Sequence, residues 1–145
     1  MSGKNATIRG NKISGPLIEG LGGGISLRGK FALETGTIVT RNIVSNVSTA
    51  LFLQRVFALE ASFFDAEIRL NDFTGYTTAV GTNKDYKLPS ELSGNFWGLT
   101  CGEGGFDPKL VRRDNGGVNR YVVERHPYGE PVANTPEEDL PPPCF

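Results

Sequence analysis

Apolar and polar residues alternate along this chain in runs of three to five positions, the pattern of strands that bury one face. Gly24-Ile25-Ser26-Leu27, Ala50-Leu51-Phe52-Leu53 and Ala79-Val80-Gly81-Thr82 are three such runs. Stretches of ten or more residues with a 3.6-residue period, which helices would need, are absent. The runs also recur. Ala6-Thr7-Ile8-Arg9-Gly10-Asn11-Lys12-Ile13, Gly36-Thr37-Ile38-Val39-Thr40-Arg41-Asn42-Ile43, Ala66-Glu67-Ile68-Arg69-Leu70-Asn71-Asp72-Phe73 and Leu92-Ser93-Gly94-Asn95-Phe96-Trp97 each place an aliphatic residue, a short gap, Asn and an apolar residue in order. The leading Ile at 8, 38 and 68 steps by 30, and the Asn at 11, 42, 71 and 95 steps by 31, 29 and 24. Repeats of this length indicate a solenoid whose coils stack one on another. The spacing predicts Ile8, Ile38, Ile68 and Leu92 in one inward row. It places Asn42, Asn71 and Asn95, with Asn11 at the start, in tight turns, since Asn tolerates the left-handed conformation and bonds to neighbouring backbone. At the ~4.8 Å spacing of stacked strands these amides would also pair with one another.

The Ile-x-x-Asn-x-Ile-x-Gly coil followed by Gly24-Ile25-Ser26-Leu27 resembles the repeat of right-handed parallel β-helix proteins. Leu92-Ser93-Gly94-Asn95-Phe96-Trp97-Gly98 resembles the Asn-aromatic-Trp-Gly signature with which many secreted bacterial members close their last coil. The resemblance covers roughly residues 5–98. It implies an all-β fold of the pectate-lyase-like superfamily, a single-stranded right-handed parallel β-helix of about three coils with a C-terminal cap. Activity does not follow from it, because that superfamily spans lyases, epimerases, hydrolases, phage tail spikes and copper-handling proteins.

Residues 1–98 are thus expected to form the coils and residues 99–145 a cap. Leu110 to Val123 reads as a hairpin about the Asn115-Gly116 turn. Six of the nine prolines lie beyond residue 126, suggesting an extended tail on the surface. Nineteen glycines and nine prolines, nearly a fifth of 145 residues against about 12% in average proteins, fit a fold of short strands and many turns. The net charge of −1 gives no basic patch for nucleic acid. No run approaches the ~18 apolar residues of a membrane span, and Met1-Ser2-Gly3-Lys4-Asn5, with no apolar h-region, does not read as a secretory leader.

Candidate chemistry is sparse. In β-helix enzymes the acids and bases project outward from one stacked sheet. With Ile25, Leu27, Leu51, Leu53, Val80 and Thr82 inward, the outward positions here are Ser26, Phe52 and Gly81, none of them ionisable. No catalytic residue is assigned on that ground. Phe52 could stack on a sugar ring. Glu34 and Glu60 close two copies of the tetrapeptide Phe-Ala-Leu-Glu, 26 residues apart, and could face each other as an acid–base pair or ligand contacts. The plainer reading is two solvated loop acids near Arg28 and Arg55. Asp65, Glu67 and Asp72 would suit calcium, but no Asp-rich nonapeptide supports it, so no cofactor is expected. One Met, one His and two Cys cannot assemble a copper path or a zinc site. His126, the single histidine, reads as a surface residue of the tail.

Cys101 and Cys144 bracket the tail. They suggest a disulfide that staples the cap and an oxidising compartment, the alternative being two free thiols in a reducing one. The expected function is a structural or binding module of a secreted or cell-surface bacterial protein, as part of a longer chain, presenting a rigid face to polysaccharide or cell-surface partners. Two alternatives stand: the C-terminal part of a polysaccharide lyase, epimerase or hydrolase, and a phage or adhesin-type trimer. An oligomer through the open solenoid end or the flank is compatible with each.

Overall fold

The computed structural model describes residues 6–15, 23–29, 33–55, 63–82, 90–102 and 122–145. Nine strands form three parallel three-stranded sheets, each sheet taking one strand from each coil. The first holds β1 (Thr7–Arg9), β4 (Leu33–Thr40) and β7 (Phe63–Arg69). The second holds β2 (Lys12–Ser14), β5 (Ile43–Ser45) and β8 (Asp72–Thr74). The third holds β3 (Gly23–Gly29), β6 (Thr49–Arg55) and β9 (Thr78–Thr82). This arrangement is compatible with a β-helix-like solenoid. Parallel strands need long crossovers, and here each crossover is the remainder of a coil.

The core is a set of vertical rows. Ile25, Leu51 and Val80 pair across the third sheet, as do Leu27, Leu53 and Thr82, and all six are buried. Ile13, Val44 and Phe73 form the matching row of the second sheet. In the first sheet the register is Ile8, Val39, Ile68, not Ile8, Ile38, Ile68. Ile38 pairs with Thr7 and Glu67 and is only half-buried, whereas Val39 has no exposed surface. The constant 30-residue step of Ile was therefore the wrong anchor. The asparagine, three residues after Ile8, Val39, Ile68 and Leu92, sets the register, and a slip of one residue turns a side chain to the other face. A register shift between Thr35 and Thr37 takes up the extra residue.

The stack continues beyond Gly98. Strand β10 (Ser90–Leu92) pairs in parallel with β11 (Val122–Glu124), and Asp72, Phe96 and Tyr128 are linked by parallel bridges. Residues 122–128 thus add one more rung before the chain leaves the solenoid. The hairpin expected at 110–123 lies outside the described residues apart from its last two positions, which belong to β11. After Tyr128 the chain turns back along the outside of the coils and ends in a short 3-10 helix (Glu137–Asp139) and an extended terminus. A disulfide joins Cys101 to Cys144, with a Cα separation of 5.4 Å, well within the range such bonds span.

Candidate functional site

The corner between the first and second sheets is built around the repeated asparagine. Asn71 Oδ1 accepts hydrogen bonds from Asn42 N and Nδ2 at 3.1 and 2.9 Å. Asn95 Oδ1 does the same for Asn71 at 3.2 and 2.9 Å, and Asn42 Oδ1 for Asn11 at 3.0 Å each. Each Nδ2 of Asn42, Asn71 and Asn95 also donates one coil back, to Ile8 O, Val39 O and Ile68 O. Asn42, Asn71 and Asn95 have no exposed surface, while Asn11 lies exposed at the end of the row. Every buried amide is therefore satisfied from within the stack, which is the condition for burying one at all. The buried rungs Asn42, Asn71 and Asn95 thus form a structural ladder.

The left-handed residue of this corner is not the asparagine, as the sequence suggested, but the residue before it. Gly10, Arg41, Leu70 and Gly94 have φ of +70°, +60°, +58° and +84°. Arg41 and Leu70 carry a steric cost of roughly 1–2 kcal/mol each in that conformation. Both side chains are then used outside the coil, against the returning tail. Leu70 packs with Phe96 and Val132, with Tyr128 and Leu140 at the edge. Arg41 Nη1 donates to Val132 O at 3.0 Å and to Thr135 O.

Two buried carboxylates complete this corner. Glu124, 3% exposed, stands where the ladder would otherwise end in unpaired N–H donors. Its Oε1 accepts from Gly94 N at 2.8 Å and His126 N at 3.3 Å, and its Oε2 from Asn95 Nδ2 at 3.1 Å and Trp97 Nε1 at 2.9 Å. Burial pushes its pKa up, opposed by the bonds from Asn95, Trp97, Gly94 and His126. Trp97 stacks on Phe73 with ring centroids 4.5 Å apart and extends the inward row of the second sheet. Its carbonyl accepts from Tyr76 Oη at 2.6 Å, and burial drives that phenol up to about 12. Asp72 Oδ1 accepts from Val132 N at 2.7 Å and Ala133 N at 3.1 Å, pinning the tail to the third coil. Burial raises its pKa too, against those two bonds and the charge of Arg41. Asp72 thus fastens the tail to the coil.

The remaining candidates are dispersed. Glu34 pairs in register with Phe64, so the 26-residue offset that matched it to Glu60 is not the register of this sheet. Strand β3 does pair with β6 at an offset of 26, but seven residues link β6 to β7 where three link β3 to β4. Glu60 lies outside the described residues. Glu67 is exposed and ion-pairs with Arg69 at 3.7 Å, and among the described residues no group of acids, histidines or cysteines could hold a metal ion. His126 is exposed, with Nδ1 2.8 Å from Phe145 O. Ser26, Phe52 and Gly81 do share one row of the third sheet. A Cβ on Gly81 would come within 2.7 Å of Phe52 Cδ2, so the half-buried Phe52 ring lies against Gly81 of the next coil.

Sequence reasoning missed Glu124 and the tail contacts. A signal for Glu124 existed: it follows Asn95 by 29 residues, within the spacing of the ladder itself. In comparisons with known proteins, no family model, curated protein or solved structure matches this chain.

Beside the ladder, the first-coil turn and the returning tail enclose an open groove of about 560 Å³. Arg9, Lys12 and Arg41 line it together with Ile43, Asn134 and Pro136.

Proposed function

We propose that the chain is a structural and binding module: a capped, right-handed parallel β-helix of the pectate-lyase-like kind, from a secreted or cell-surface protein, that holds a rigid sheet face against polysaccharide. The observation that carries this reading is the outward row Ser26, Phe52, Gly81, which presents an aromatic ring on a registered sheet and no acid or base. A half-buried ring braced on a glycine offers a stacking surface at little entropic cost, because it is already immobilised. The Cys101–Cys144 bond fits an oxidising compartment. Retention of the chain on insoluble neutral and acidic polysaccharides tests the proposal, with Phe52→Ala expected to abolish it while the thermal melt stays within a few degrees. Undiminished retention of that variant would remove Phe52 from the reading. Release of unsaturated sugars by the chain, lost in Glu34→Gln or Glu60→Gln, would replace the binding module with an enzyme.

A further inference from the structure

The charges at the ladder corner are balanced on the later coils and unbalanced on the first. Arg9, Thr40 and Arg69 stand in one row, and Lys12, Ile43 and Asp72 in another. On the third coil Arg69 meets Glu137 at 3.3 Å and Glu67 at 3.7 Å, and the place of Lys12 is taken by an acid, Asp72. On the second coil Arg41 is held by tail carbonyls and lies 3.9 Å from Glu137. The described residues of the first coil, 6–15 and 23–29, include no acid. Among the described residues Arg9 and Lys12 are exposed, enter no ion pair, and line the same groove.

We propose that this groove binds a phosphate monoester carried on a sugar-sized body. Two uncompensated cations match the charge of such an ester, about −1.5 to −2 at neutral pH. The guanidinium of Arg9 offers a planar fork for two phosphate oxygens and Lys12 a compact point charge. A single carboxylate would leave one of the two unmatched. The rest of the lining suits a hydroxylated ring, with Ile43, Ala133 and Pro136 as apolar walls and Asn134 and Thr135 as polar groups. The volume, about 560 Å³, is that of small-molecule sites in general. The site lies on a different face from Phe52, so it stands or falls separately from polysaccharide binding.

Calorimetric titration of the disulfide-intact chain at about 50 mM salt decides the matter with four probes: glucose 6-phosphate, inorganic phosphate, glucose and trigalacturonate. Glucose 6-phosphate should bind, more tightly than inorganic phosphate, and glucose should not. The double variant Arg9→Gln/Lys12→Gln should weaken binding at least about tenfold with an unchanged melt, both side chains being exposed. Phe52→Ala should leave this titration unaltered, and the double variant should leave polysaccharide retention unaltered. Absence of heat with glucose 6-phosphate, equal affinity in the double variant, or tighter binding of trigalacturonate would each overturn the proposal.

Discussion

At the scale of single residues, the most heavily committed carboxylate among the described residues is Glu124. Four N–H groups converge on its two oxygens, including the indole of the single tryptophan. Burial nevertheless outweighs those bonds and raises its pKa above the ordinary 4.5, as it raises that of Asp72 above 3.8. The folded state then holds these protons more tightly than the unfolded state does. Their contribution to stability is complete below the unfolded pKa values and is lost as pH rises through the folded ones. Glu124→Gln removes the titration and turns an amide NH2 toward two donors, a loss on the order of 1–3 kcal/mol. The advantage of the wild type over this variant is therefore expected to be largest in acid and to shrink as pH climbs above about 4.5. Urea unfolding of both proteins at several pH values, followed by Trp97 fluorescence, measures it. An advantage that grows with pH would reverse the assignment. Nothing in the neighbouring residues marks Glu124, because three of its four partners lie 27 to 30 residues back in the preceding coil, and only the 29-residue step from Asn95 signals it.

At the scale of elements, the ladder and the inward rows were legible because each coil repeats the same alternation around Asn. The stacking of coils and the outward row Ser26, Phe52, Gly81 could be read from that alternation directly; the division into three sheets could not. What could not be read were offsets created by insertions. An extra residue before Val39 and a longer link before β7 each displaced a correct motif onto the wrong partner. Alternation fixes which face a residue takes only once register is known, and register here comes from the asparagine bonds. The ladder therefore makes its own prediction. Replacing Asn71 with Ala takes the acceptor from Asn42 N and the side-chain donor from Val39 O. It also removes one of the bonds of Asn42 Nδ2 and of Asn95 Oδ1, which keeps the backbone N–H of residue 71. The expected loss is about 1–3 kcal/mol per buried group left unpaired, partly offset by local relaxation. The same change at exposed Asn11 should cost much less, since water can replace what is lost. Chemical denaturation of the two variants compares them, and equal losses would mean that the ladder is not what stabilises the corner.

At the scale of the whole molecule, the tail is what turns a stack of coils into a closed object. The chain returns after β11, covers Phe96 and Leu70 with Val132, fastens to Asp72 and Arg41, and ends beside Pro127, whose carbonyl accepts from Cys144 N at 2.8 Å. The proline-rich composition made an extended tail legible, and the paired cysteines suggested its staple. Its path could not be read, since contacts such as Arg41 with Thr135 join positions 94 residues apart. The Cys101–Cys144 bond closes a separation of 43 residues, for which chain entropy alone gives ~4 kcal/mol. Burying Trp97 against Phe73 adds roughly 2–3 kcal/mol that depends on the rung of Glu124 staying in place. These two contributions are coupled, because a tail released at Cys144 can peel from Asp72 and then from the corner. Cys101→Ser/Cys144→Ser should therefore lower the thermal midpoint by at least about 10 °C, at about 3 °C per kcal/mol for a chain of this size. It should also shift Trp97 fluorescence toward that of a solvent-exposed indole before the global transition. A double serine variant that melts at the wild-type midpoint, with Trp97 emission unchanged throughout, would show that the stack closes without its staple.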